Sequence, residues 1–251
     1  MSQLILPRVI GHRGIAASAP ENTLAGFRCA AAQGVAMVEL DVQLTSDGVP
    51  VVFHDDALER TTDGQGLLCE TPLAVLRRCD AGAWFGPGFA GEMVPTLAEA
   101  ITVIVELGLG LNIEVKADED RGAATAQTAL AVVRSQWPAG RPAPLLSSFS
   151  RSALRAVAEM MPDWPRGLLV GALPDDWAKA VQSLGCVAVH ADHRRLNPRR
   201  VHAVKDAGVL LLAYTVNRAD HADRLWSWGV DAVFSDHPER LGHPLFQPEL
   251  E

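Results

Sequence analysis

Two carboxylates and an imidazole stand out first. Glu39 and Asp41 lie two residues apart in Val38-Glu39-Leu40-Asp41-Val42-Gln43-Leu44. This stretch alternates apolar and polar residues with the period of a two-faced strand. Asp47-Gly48 follows as a two-residue turn signal, and Val51-Val52-Phe53 as the returning strand. A turn at those two residues sets His54 opposite Asp41, and directly opposed side chains share a face. Glu39 shares that face through the period of two. Burying two like charges together is costly unless a cation or a proton lies between them, and a divalent metal supplies such a cation. A solvated strand face is the bland counterpart, and on this stretch alone the two readings stand level.

The rest of the chain shows what positions these groups. Val9-Ile10-Gly11 is a short buried strand running into His12-Arg13-Gly14. Pro20-Glu21-Asn22-Thr23 starts a helix, with Asn22 as the expected N-cap. Residues 58–94 lose the strand–helix alternation and read as an insertion, with Trp84, Phe85 and Phe89 as its own core or its contact with the rest. Thr96 then caps a helix ending near Leu107. Apolar strand-like runs recur at Leu111–Val115, Leu145–Phe149, Leu168–Val170, Val187–His190, Val209–Val216 and Ala232–Ser235, separated by helical segments. Such alternation predicts a parallel sheet covered by helices. Eight strand units predict an α/β fold, a (β/α)8 TIM barrel, as one domain over residues 1–251, with a small insertion at 58–94 after the second-strand hairpin. An open doubly wound sheet is the runner-up, but no Gly-rich dinucleotide turn follows the first strand.

In such a barrel, polar residues at the C-terminal ends of strands form the site. That rule adds His12 and Arg13 from the first strand. It adds Glu114 and Lys116, on one face of Leu111-Asn112-Ile113-Glu114-Val115-Lys116. Three carboxylates, Glu39, Asp41 and Glu114, suit Mg²⁺ or Ca²⁺ and leave positions open for substrate oxygens; tetrahedral zinc prefers His and Cys. Arg13 and Lys116 suit a phosphate, and His12 and His54 suit paired proton transfer near neutral pH. Together they describe a metal-assisted phosphoester hydrolase. His190 is balanced between pocket wall and structural residue. His193 and Arg194 read as ordinary surface or loop residues.

Composition narrows the class. The 251 residues carry a formal charge of −8 and a sequence pI of about 5.5, which disfavours general binding to nucleic acid or anionic membrane. The four cysteines show no metal-ligand spacing and read as free thiols in a reducing compartment. The N-terminus lacks the pattern of a signal peptide, and no apolar run reaches transmembrane length. The expectation is a cytoplasmic enzyme with a small-molecule substrate and no stable membrane anchor.

The chain resembles the glycerophosphodiester phosphodiesterase family over nearly its whole length. The residues that carry the likeness are His12-Arg13-Gly14, Pro20-Glu21-Asn22-Thr23, Glu39-x-Asp41, Val52-Phe53-His54-Asp55, Arg60-Thr61-Thr62, Asn112-Ile113-Glu114-Val115-Lys116, Ser148-Phe149 and Thr215-Val216-Asn217. The resemblance implies a divalent metal on Glu39, Asp41 and Glu114, with His12 and His54 as general base and general acid. It implies Arg13 and Lys116 around the phosphate. It further implies attack by the glycerol 2-hydroxyl on phosphorus, loss of an alcohol, and opening of the cyclic phosphate by water to glycerol 3-phosphate. Tyr214 stands where the family usually has Trp, and its ring can pack on a glycerol moiety. Phe149, with the insertion, could wall an apolar channel. That channel would serve the alternative of a lysophospholipase D-type hydrolase; a non-catalytic barrel binding a phosphorylated ligand is the remaining alternative.

Overall fold

The computed structural model describes residue 4 and residues 6–242. Part of the N-terminal stretch, on which the absence of a leader was read, lies outside the described residues. Among the described residues nine strands occur: β1 (Val9–Gly11), β2 (Met37–Leu44), β3 (Pro50–Val52), β4 (Gly110–Val115), β5 (Leu145–Ser148), β6 (Arg166–Val170), β7 (Ala188–Asp192), β8 (Leu210–Tyr214) and β9 (Ala232–Ser235). Eight are parallel and close on themselves, because β1 pairs with both β2 and β9. The antiparallel β3 pairs with β2 among the strands. The helices are α1 (Leu24–Ala32), α2 (Leu73–Leu76), α3 (Leu97–Glu106), α4 (Gly122–Gln136), α5 (Arg151–Met160), α6 (Trp177–Leu184), α7 (Pro198–Asp206) and α8 (Ala219–Trp228). The fold is the expected (β/α)8 TIM barrel with one extra strand.

Both faces of the barrel strands are buried, which is why they read as near-continuous apolar runs. Val38, Leu40 and Val42 point outward and join Phe27, Ile101 and Leu130 beneath the helices. Ile10, Met37, Leu145, Leu212 and Phe234 belong to a separate cluster in the barrel interior. α3 begins at the expected cap: the Thr96 hydroxyl accepts from the Glu99 N–H (3.2 Å), and the Glu99 carboxylate accepts from the Thr96 N–H (2.8 Å). This reciprocal pair satisfies two amides that the first turn leaves unpaired.

The hairpin departs from the expected register by one residue. Val42 pairs with Val52, Gln43 with Val51 and Leu44 with Pro50. The connection is the three-residue loop Ser46-Asp47-Gly48, closed by the Thr45 N–H donating to the Val49 carbonyl (3.1 Å). The Thr45 hydroxyl also donates to Asp47 (2.6 Å), and Gly48 takes the positive φ of 78° that such a loop requires. A slip of one residue exchanges the faces of a strand. Phe53, not His54, therefore faces Asp41, and its N–H donates to the Asp41 carbonyl (3.0 Å). β3 ends at Val52, and His54 reaches the barrel mouth from the loop beyond.

Two further expectations change. The N-cap of α1 is Thr23, whose hydroxyl accepts from the Gly26 N–H (3.1 Å), not Asn22. The stretch between β3 and α3 leaves and returns side by side: Val51 bridges Thr96, and the Val52 N–H donates to the Pro95 carbonyl (2.8 Å). Its core is Phe53, Leu58, Leu68, Leu76, Ala81 and Val94. Trp84, Phe85 and Phe89 are absent from that core; they stack edge to face at 5.6 and 5.4 Å, with Trp84 exposed.

Candidate active site

Strand pairing assembles the carboxylates. In the parallel β2–β4 pair, Asp41 lies beside Glu114 and Glu39 beside Asn112. The period of two turns all four side chains, with Lys116, toward the barrel interior. Glu39, Asp41 and Glu114 each place a carboxylate oxygen within 4.8 Å of the others. Burial and repulsion from Asp41 and Glu114 hold the Glu39 carboxyl well above its ordinary range. Burial and Asp41 likewise push Glu114 up to about 7. Burial opposes the charge on Asp41 too, but Arg13, His54 and Lys116 outweigh it and keep its carboxyl below the ordinary range.

The nearby cations only partly balance this cluster. Arg13 Nε stands 3.3 Å from Asp41, and Lys116 Nζ stands 3.7 Å from Glu114 and 3.9 Å from Asp41. Three hard oxygen donors with residual negative charge fit a divalent cation of the Mg²⁺ or Ca²⁺ type. Asn112 Oδ1, buried beside Glu39, has no hydrogen-bond partner among the described residues, so the same region has acceptor capacity to spare. Zinc is a poor match, since neither His nor Cys joins the cluster.

His12 and His54 line the same cavity, of about 440 Å³, with Arg13, Lys116, Phe149 and Tyr214. Each imidazole is backed by a carboxylate through Nδ1. His12 Nδ1 lies 2.6 Å from Asp236 Oδ1, while Asp236 Oδ2 accepts from the Asn217 amide (2.8 Å). His54 Nδ1 lies 2.5 Å from Asp55 Oδ1. A carboxylate at Nδ1 fixes the tautomer and leaves Nε2 for chemistry. Burial and Arg13 lower the pKa of His54 against the opposing pull of Asp41.

Behind His54 runs a chain of ion pairs. Arg60 donates to both oxygens of Asp55 (2.5 and 2.8 Å) and both of Glu21 (2.7 and 2.8 Å). Glu21 in turn accepts from Arg13 (2.7 Å). Asn22, held at a positive φ of 56° that Asn tolerates, donates its amide to Asp41 (2.9 Å). The Arg13 N–H donates to Glu39 (2.9 Å). Asp55, Arg60 and Asn112 belong to the motifs of the resemblance and Asp236 follows the last strand, yet the sequence alone assigns none of the four a role beside the two histidines and three carboxylates. His190 is the floor of the cavity, fully buried with both ring nitrogens unpaired among the described residues, and burial alone pulls its pKa down to about 3. His193 and Arg194 line the rim of the cavity, Arg194 with an exposed side chain. Tyr214 packs edge to face on Phe149 (6.2 Å), and its hydroxyl donates to the Val170 carbonyl (2.9 Å) and is thereby tied to β6.

The profile of the glycerophosphoryl diester phosphodiesterase family matches residues 12–240. The chain belongs to that family. As a member it is a phosphoric diester hydrolase. It is 36% identical to the glycerophosphodiester phosphodiesterase of Caldanaerobacter subterraneus, over 93% of this chain and 95% of the relative. It is 31% identical to the Bacillus subtilis glycerophosphodiester phosphodiesterase, over 92% and 83% of the two chains. Its fold superposes on a phosphodiesterase of Oleispira antarctica, in complex with the product sn-glycerol-3-phosphate, with a TM-score of 0.91 and 44% identity over 94% and 95% of the chains. Among the described residues no helix of this family member is long and apolar enough to cross a membrane.

Proposed function

We propose that this family member hydrolyses glycerophosphodiesters such as glycerophosphocholine to an alcohol and glycerol 3-phosphate. Glu39, Asp41 and Glu114 hold Mg²⁺ or Ca²⁺, and His12 and His54 form the acid–base pair. The observation that carries the reading is one cavity walled by a convergent carboxylate cluster and two carboxylate-backed imidazoles. The glycerol 3-phosphate complex of the Oleispira relative supports the same ligand class.

When bound, the metal supplies charge neutralisation to the phosphate. Arg13 and Lys116 add fixed positive charge on the same side. One histidine takes the proton of the glycerol 2-hydroxyl as its oxygen bonds to phosphorus, and the other protonates the departing alkoxide. Intramolecular attack avoids the entropy of fixing an external nucleophile. A water then opens the cyclic phosphate, the two histidines exchanging roles. Phe149 and Tyr214 pack on the glycerol carbons. We also place the enzyme in the cytoplasm, on its four free cysteines, and treat residues 58–94 as an insertion in a single domain.

The test is release of glycerol 3-phosphate from glycerophosphocholine and glycerophosphoethanolamine. Activity is expected to vanish in EDTA and return with Mg²⁺ or Ca²⁺. His12→Ala and His54→Ala are each expected to lower kcat by about 10²–10⁴-fold with the fold intact. Ligand binding without turnover under any divalent metal would replace this reading with that of a binding barrel.

A further inference from the structure

A second cavity, of about 420 Å³, opens beside the first and shares Glu114, Lys116 and Phe149 with it. We propose that this second cavity is the subsite for the leaving alcohol and that it selects an alkylammonium alcohol. The inference rests on the phosphodiesterase reading above. A phosphodiester has two alcohol arms. With the phosphate at the boundary the two cavities share, one arm enters each. The first cavity has a polar floor of Asn112, Ser147 and His190, matched to glycerol hydroxyls.

The second cavity has a different chemistry. Leu44, Leu67 and Cys69 line it with Phe149, and Leu67 and Phe149 are exposed, at 41% and 52%. Asp56 and Asp118 line it too, and among the described residues neither carboxylate enters an ion pair. Arg121 opposes them with one charge; Lys116 is already turned to Asp41 and Glu114. A polyol would find partners in Asp56, Asp118 and Arg121 but would leave the leucine, cysteine and aromatic wall unmatched, and an acyl chain would desolvate two carboxylates. An alkylammonium group has apolar surface for the leucines, charge for the carboxylates, and affinity for an aromatic face.

The experiment compares glycerophosphocholine with its uncharged isostere, the 3,3-dimethylbutyl ester, by kcat/KM. The wild type is expected to favour the choline ester by about tenfold. Asp56→Asn, at an exposed side chain that accepts no hydrogen bond from the fold, is expected to lower the choline rate about three- to fivefold and leave the isostere unchanged. Leu67→Arg is expected to lower the choline ester more than the isostere. Independently of turnover, glycerophosphocholine is expected to slow alkylation of Cys69 in metal-loaded His12→Ala protein, while glycerol 3-phosphate is not. Equal rates on both esters, an unchanged ratio in Asp56→Asn, or an unprotected Cys69 would overturn the subsite. No turnover of either ester by the wild type would overturn the phosphodiesterase reading, and the subsite with it.

Discussion

Replacing Glu114 by Gln removes a charge from the carboxylate cluster while nearly preserving its shape. In the metal-free protein the Glu114 carboxyl titrates at about 7 instead of its ordinary 4.5. The folded state therefore holds this proton more tightly than the unfolded chain. Between pH 4.5 and about 7 the unfolded chain has lost the proton and the folded protein keeps it, so stability falls as pH rises through that window. Below it nothing is lost, and above it the loss is constant. The interval from 4.5 to about 7 is roughly 2.5 units, and at about 1.4 kcal/mol per unit the loss is about 3 kcal/mol. For a chain of this size that is roughly 10 °C in Tm. The assay is thermal unfolding at pH 5 and pH 8, in EDTA and again with Mg²⁺ or Ca²⁺. In EDTA the wild type is expected to lose about 10 °C more than Glu114→Gln between the two pH values. Metal is expected to restore the wild type at pH 8 and to do little for the variant. Parallel pH profiles in EDTA, or equal stabilisation of both proteins by metal, would refute the reasoning.

Asp236→Asn keeps the contact to His12 but removes the charge behind it; kcat is expected to fall about 10²-fold with KM little changed, read by steady-state kinetics. Arg60→Ala separates Asp55 from Glu21. Because Arg60 is half exposed, the stability cost is expected to stay below about 1 kcal/mol by denaturant unfolding. Turnover is expected to drop about tenfold through misplacement of His54, and Arg60→Lys is expected to rescue only part of it, since an ammonium cannot fork onto two carboxylates. Gly167→Ala would place a Cβ 2.4 Å from His190 Nε2; a loss of about 2 kcal/mol is expected by calorimetry.

The barrel was legible because its strands are apolar on both faces and its helices carry strong local signals, such as the Thr96–Glu99 cap. The convergence of Glu39, Asp41 and Glu114 followed from a period of two and one parallel pairing. The hairpin register was not legible, because Asp47-Gly48 serves a two-residue or a three-residue loop and the Thr45 hydroxyl decides between them. His54 therefore reaches the cavity from the loop after β3 and not through the cross-strand pairing with Asp41 that the turn suggested. Arg60 was hidden for a different cause. Its partners, Asp55 and Glu21, lie 5 and 39 residues away, and only the closed barrel brings them together. Asn22 and Thr23 both have capping side chains, and the contact between Asn22 and Asp41 settles which one caps.

The seam where Val51 meets Thr96 and Val52 meets Pro95 has an evolutionary corollary. The stretch beyond Arg60 departs from and rejoins the staves at this one place, so its length and composition can drift without a new closure cost for the barrel, whereas His54, Asp55 and Arg60 beside the seam are tied to the cavity. Leu67 and Cys69 ride on that piece, whereas Glu39, Asp41, Glu114, His12 and His54 do not. A graft of residues 61–94 from a relative is expected to alter the wall at Leu67 and Cys69 while His12, His54 and the three carboxylates stay in place.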